Sequence, residues 1–375
     1  MMEPVLEKKN LFSRRKRGFN NYRIPALAIT QNGTILAACE ARKKKSDWAC
    51  RAIMMRRSTD GGKTWTRQIP IVKSEDKQWK EHPETALNNP LFIIDRNKPL
   101  IHFLYCKHYE QAFYMRSTDE GKSFSEPVEI TSAFEPFREH FDWKVLATGP
   151  GKGIQLRSGR LIAPVWIAYG KKGSHHPSVC GVIYSDNSGK TWEAGQLIPT
   201  YKTDDMPNGS ESYAVQKANG NIYFNFRNTS RKRRRSFSIS PNGVGDWSIP
   251  KFDESLFEPI CMASLIRFTE RDTNGAEKNR ILFSNPDSSD IPDPSRRMRK
   301  HLTIKMSYDE CESWPIARRI EEGKSGYSDL AVDPDGMIYC LYERGGKRRW
   351  NTYYHNIAIA KFNLEWLTNG KDSLK

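Results

Sequence analysis

The sequence predicts an all-β fold, a six-bladed β-propeller, on three observations. A turn motif, Ser-x-Asp-x-Gly-x-Thr-Trp, recurs along the chain at near-regular spacing. Six hairpin turns, each followed by an apolar strand, recur with a similar period. No segment keeps a 3.6-residue apolar period over several turns, so helices contribute little. A period near 60 residues with strand-like flanks is the mark of repeated β units arranged as a propeller.

The motif is clearest at Ser58-x-Asp60-x-Gly62-x-Thr64-Trp65, and returns at Ser117-x-Asp119-x-Gly121-x-Ser123-Phe124 and Ser185-x-Asn187-x-Gly189-x-Thr191-Trp192. Two weaker copies follow. One is Ser240-x-Asn242 with Trp247; the other is Ser307-x-Asp309 with Ser313-Trp314, where Cys311 stands in the glycine position. In each, the Asp or Asn side chain accepts from nearby backbone N–H groups, and glycine supplies the positive φ. The hairpins read, in order, QNGTILAA, DRNKPLIHFLY, RSGRLIAP, ANGNIYFNF, KNRILFS and PDGMIYCLY. Six such units fill residues 1–375 as a single domain, with residues 1–17 as a flexible or peripheral N-terminal segment. The last strand, in NTYYHNIAIAKF, is expected to pair with the N-terminal blade and close the ring, which removes open edges.

The bulk chemistry narrows the function classes. No run approaches the roughly 18 apolar residues of a membrane helix, and the N-terminus has no apolar leader. The seven cysteines have no CxxC spacing and read as buried small hydrophobes, not as a disulfide frame or zinc site. The missing leader and the unpaired thiols favour a cytoplasmic location, or a secreted or periplasmic one if a leader has been removed. The histidines show no metal-binding spacing, no metal or cofactor is called for, and His175-His176 reads as part of an exposed loop. The net charge is +16, gathered in RRKR at 14–17, KKK at 43–45, RKRRR at 231–235 and RRMRK at 296–300. Such a field concentrates anions. There is no helix-turn-helix, zinc-finger or RNP signature, so nucleic acid is not the partner expected; a polyanionic substrate or a solvated surface is.

Several charges sit where a core-feeding strand should be apolar. Arg23 lies ten residues before the hairpin Gly33 and Arg42 nine after it; Glu211 lies nine before Gly220 and Arg227 seven after it; Tyr327 lies nine before Gly336 and Glu343 seven after it. Asp47 precedes Ser58 by eleven and Arg299 precedes Ser307 by eight. All eight therefore fall at the end of a blade opposite its turns, around one mouth of the central channel. Arginines facing one point repel each other unless an anion sits among them, and guanidinium matches a carboxylate bidentately. The pattern calls for a small carboxylate ligand beside an acid, Asp47, and a tyrosine that a glutamate can polarise.

These residues, with YRIP at 22–25, EAR at 40–42, ATGPGKGIQL at 147–156, SES before NFR, GYSDLAV and CLYE, give the chain a strong resemblance to the exo-α-sialidase (neuraminidase) family. The resemblance runs from Leu11 to about residue 362. It implies a sialidase-like propeller that removes terminal α-linked sialic acid from glycans, glycoproteins or gangliosides with retention. By position it implies that Arg23, Arg227 and one arginine of the 296–299 cluster, taken as Arg299, hold the substrate carboxylate. It makes Asp47 the general acid/base, Tyr327 the nucleophile and Glu211 its partner. Glu343 would hold Arg23, and Arg42 would contact the substrate near its C4 substituent. The two decayed turn motifs and the basic composition depart from the family pattern. The alternatives are a hydrolase or transferase of the same fold acting on a related 2-keto sugar acid (KDN, Kdo), and a propeller that binds glycans without turnover.

The chemistry suits a tyrosine. Sialic acid carries a carboxylate on its anomeric carbon, which would repel a carboxylate nucleophile, and sialidases are the noted exception to the two-carboxylate scheme. Asp47 is expected to hold a proton through desolvation under its loop, and the N-acetyl pocket to come from loops near 79–90 or 107–115.

Overall fold

The computed structural model describes residues 2–74, 86–203, 205–273, 275–291, 298–346 and 354–374. It contains six four-stranded antiparallel units arranged as the blades of a propeller. The first blade is Asn21–Ile29, Ile35–Arg42, Cys50–Ser58 and Ile69–Lys73, and the second is Leu87–Ile94, Ile101–Lys107, Gln111–Ser117 and Val128–Glu129. The third is built on Leu161–Ala168, with Val145–Thr148 and Ile154–Gln155 on its inner side and Ser178–Ser185 and Glu193–Leu197 outside. The fourth is Ser212–Gln216, Ile222–Phe226, Arg234–Ser240 and Lys251–Phe257. The fifth and sixth share one strand, Ile316–Val332. Its first half is the outer strand of the fifth blade, beside Lys300–Ser307, and its second half is the inner strand of the sixth, beside Ile338–Arg344.

The strands form where the sequence alternates or runs apolar between turn residues. Ile35–Arg42 is buried along its whole length, as an inner strand covered on both faces should be. Neighbouring blades share their side chains. Tyr22, Leu27 and Cys39 of the first blade pack with Ala331, Tyr339 and Leu341 of the sixth in one cluster, and all seven cysteines are buried and unpaired. Buried Asp329 ties the inner strands across the channel, accepting from Leu27 N (2.7 Å) and Ser264 Oγ (3.1 Å), with Lys152 Nζ 3.8 Å away.

The five turn motifs each sit between the third and fourth strands of a blade. Ser117 Oγ accepts from Gly121 N (2.9 Å), while Asp119 accepts from Ser117 Oγ (2.8 Å) and Ser123 N (3.0 Å). The copy with Cys311 is not decayed in structure. Cys311 takes the glycine conformation at φ 74°, its N–H donates to Ser307 Oγ (2.9 Å), and Asp309 accepts from Ser313 N (2.9 Å). The polar side chains supply the hydrogen bonds of the turn, so they hold a non-glycine residue in the left-handed region.

Ring closure differs from the sequence expectation. The last strand, Asn356–Phe362, does not pair with the first blade. It pairs with Ile338–Arg344 on one side and with Leu6–Ser13 on the other. Residues 6–13, expected within a flexible or peripheral segment, are thus an ordered strand at the outer edge of the sixth blade. Val5 N donates to Asn363 Oδ1 (2.9 Å) and Asn363 Nδ2 to Glu3 O (2.7 Å), which fastens the lead-in. Residues 351–353 of the expected last strand lie outside the described residues.

Candidate active site

The eight candidate residues come from four blades and meet at the end of the propeller opposite its hairpin turns. Glu211 and Arg227 flank one hairpin, where Arg227 N donates to Glu211 O (3.0 Å) and Ser210 N to Arg227 O (3.1 Å). Their side chains meet as well: Arg227 Nη1 lies 2.9 Å from both Glu211 oxygens. Tyr327 reaches this pair from the long strand shared by the fifth and sixth blades, at a break in register between Ser325 and Ser328 that turns its side chain to the mouth. Its hydroxyl donates to Glu211 Oε1 and accepts from Arg227 Nη1 at 2.9 Å.

Arg23 and Arg299 complete the cluster. Their guanidinium carbons lie 5.3 and 5.4 Å from the centroid of the Tyr327 ring. Buried Glu343 orders three groups at once: it accepts from Arg23 Nε (2.7 Å), Ile24 N (3.0 Å) and Tyr327 N (3.0 Å). It thereby fixes the distance between the first blade's arginine and the tyrosine. Arg299 donates to Tyr354 Oη (2.7 Å) and to Ile260 O, and Arg23 stacks 3.7 Å from the centroid of the Tyr354 ring. Arg296 and Arg297 lie outside the described residues.

Asp47 opens a short 3-10 turn, Asp47–Ala49, capped by Ser46. Its Oδ1 accepts from Arg42 Nη1 at 2.5 Å. Arg42 is itself held by Glu40, whose Oε2 accepts from Arg42 Nε (2.7 Å) and whose Oε1 accepts from Asn89 N (2.9 Å). Glu40 was missed as a site residue. The signal was in EAR: residues two apart on a strand share a face, so a fully buried Arg42 needs an acid at 40. Tyr354 was also missed, and nothing in its local sequence marks it.

Beside Asp47 stands an aromatic wall. Trp48 and Tyr109 pack edge-on at 5.1 Å between centroids, and His175 lies 4.8 Å from Tyr109 and 5.3 Å from Trp166. His175 is therefore half-buried against rings and not a free loop histidine; only His176 is exposed. Of the loops expected to form an acyl pocket, 107–115 supplies Tyr109, and 79–85 lies outside the described residues.

The charges set the protonation states. Burial opposes ionisation of Asp47, but Arg42, Arg23 and His175 outweigh it and bring its pKa down to about 2. The sequence expectation of a proton held by desolvation is thus overturned: Arg42 keeps the unliganded carboxylate charged. Burial likewise raises Glu211, yet Arg227 and the Tyr327 hydroxyl bring it below the usual carboxylate range. Tyr327 moves the other way. Burial and the Glu211 charge push it well above 10, against the pull of the three arginines, so it rests as a neutral phenol. Arg227, Arg299 and Arg23 oppose one another's charge, and Arg227 Nε is buried with no hydrogen-bond partner among the described residues. An anion entering the mouth offsets that repulsion. A cavity of about 740 Å³ lies elsewhere: it opens on the hairpin face around Arg96, Arg157 and Asp333 and includes none of the eight residues.

Comparison with known proteins agrees with this architecture. The BNR repeat-like domain family profile matches residues 33–340. The chain is 30% identical to a sialidase of Micromonospora viridifaciens, covering 97% of this chain and 55% of that protein. It is 27% identical to a sialidase of Bacteroides fragilis, covering 86% and 60% respectively, so it spans little more than half of each of these two relatives. Among solved structures, the Hadza microbial sialidase Hz136 superposes with a TM-score of 0.79 at 24% identity, over 96% of this chain and 69% of that one. The chain belongs to the BNR repeat-like domain family.

Proposed function

We propose that the chain is a retaining exo-α-sialidase that uses Tyr327 as its nucleophile. The observation that carries this reading is the Tyr327 hydroxyl held between Glu211 and Arg227 at 2.9 Å, with Arg23 and Arg299 against its ring. Arg23, Arg227 and Arg299 receive the substrate carboxylate through charge-assisted hydrogen bonds. This places the anomeric carbon over the phenol. Glu211 takes the phenolic proton as the C–O bond forms, and the arginines stabilise phenolate character in the transition state.

Asp47 protonates the departing glycosidic oxygen and later accepts a proton from the attacking water. Because Arg42 holds it ionised before substrate arrives, its pKa must rise on binding. Two changes do this: the substrate brings a second carboxylate and excludes water, and Arg42 turns part of its hydrogen bonding toward the sugar. Two successive inversions give net retention. The aromatic wall of Trp48, Tyr109 and Trp166 offers an apolar surface for the substituents of the ring.

Hydrolysis of an α-sialoside followed by proton NMR tests the reading in one experiment. The α-anomer is expected to appear first and then mutarotate. Initial release of the β-anomer indicates single inversion and rejects a covalent tyrosine intermediate. A sialoside of an added acceptor in place of free sugar identifies a transferase using the same site.

A further inference from the structure

The +16 charge of the chain is unevenly placed on the propeller. The connections between second and third strands all lie on the face that carries the site, and they hold KKK at 43–45, KK at 171–172 and RKR at 231–233. The lead-in to the first blade, RRKR at 14–17, reaches the same face. Most of these side chains are exposed. A few have partners, such as Lys232 with Asp205 (2.6 Å) and Lys172 with Glu110 (3.5 Å), but such pairs at an open surface neutralise little. The opposite face mixes both signs, with Arg96, Lys98, Arg157 and Arg160 on its turns. Those turns also carry Asp333 and Asp335, Glu120 and Glu126, and Glu310 and Glu312, so basic residues do not accumulate there unopposed.

We propose that the basic loops around the mouth form an extended docking surface for glycans that carry several sialic acids. The inference rests on the sialidase reading of the mouth and names the substrate class it favours. One terminal sugar occupies the arginine cluster while carboxylates of neighbouring residues lie on the loops of the first, third and fourth blades. A basic rim around a recessed site focuses the field and raises the local concentration and on-rate of polyanions. The loops are less suited to other polyanions. Among the described residues the exposed large apolar side chains are Met2, Ile69, Val128, Tyr201 and Ile249, and none lies on a basic loop. Insertion into a bilayer needs such apolar anchors.

The test compares a small fluorogenic monosialoside with a neutral aglycone and an oligomer of sialic acid. The parent is set against the variant Lys171→Glu/Lys172→Glu/Arg231→Glu. The variant is expected to keep monosialoside kcat/KM within about twofold and to lose roughly tenfold on the oligomer, and raising salt from about 50 to 300 mM should reproduce that loss in the parent, as screened steering requires. Equal oligomer turnover by variant and parent, or an equal fall on both substrates, overturns the docking surface. Parent that sediments with phosphatidylserine vesicles lacking sialoglycan, and is released from them by the same substitutions, reassigns the face to lipid and also overturns it. Absence of monosialoside hydrolysis by the parent rejects the sialidase reading itself, which separates the two failures.

Discussion

Residues at the mouth divide into those that carry charge to the substrate and those that hold the carriers in place. Tyr327 is the sharpest case. Tyr327→Phe removes the oxygen proposed as nucleophile but keeps the ring against Arg23 and Arg299, so hydrolysis is expected to fall by about three orders of magnitude or more while binding of a 2-carboxylate inhibitor persists. Turnover near that of the parent in a fluorogenic assay removes the tyrosine from the mechanism. Arg42 governs pH dependence. Asp47 ionises near 2 in the free protein because Arg42 is bound to it, and the form able to act as an acid declines as pH rises above that value. Removing Arg42 raises the Asp47 pKa, so in Arg42→Met the descending limb of kcat/KM is expected to move to higher pH. A limb that stays in place shows that another group supplies the proton. Most of this site was legible in the sequence, because charges at matched phase in separate hairpins have few structural reasons to exist. The ionisation of Asp47 was not legible: it depends on a 2.5 Å contact, which spacing along the chain does not reveal.

At the level of the element, the repeated turn explains why the hairpins could be found at all. Its hydrogen bonds are local, within four or five residues, so its sequence signature survives without knowledge of the fold. In Asp119→Ala the bonds from Ser117 Oγ, Ser123 N and Ser123 Oγ (2.6 Å) are lost at once. Each net hydrogen bond contributes about 1 kcal/mol, so the variant is expected to be destabilised by roughly 1–3 kcal/mol in urea unfolding, with kcat unchanged. A change in kcat without loss of stability counts against a purely structural role for the turn. Cys311 shows the limit of reading such a motif by letters. The missing glycine suggested decay, yet the flanking Ser307 and Asp309 hold the same geometry.

The whole molecule depends on joining two distant parts of the chain. The sequence marked a ring and a closing strand but named the wrong partner, because the N-terminal strand Leu6–Ser13 has an exposed, charged pattern over much of its length and lacks the apolar run that identifies the inner strands. Its position is decided by backbone pairing with Asn356–Phe362, a long-range register that composition does not encode. Removing residues 2–13 leaves that strand as an open edge. The truncated protein is expected to unfold at lower temperature and to aggregate at micromolar concentration, as calorimetry and light scattering would show; an unchanged melting profile means the ring is held without the strand.

That pairing also fixes a sequence of events. Residues 6–13 are synthesised before every blade they help to close, and the strand that receives them is made about 340 residues later. Five blades can take shape while this segment stays undocked, and the disc locks only after residues 356–362 have been made. A cell making this protein must therefore shield a lysine-bearing tether while the intervening residues are made, about 17–70 s at roughly 5–20 residues per second.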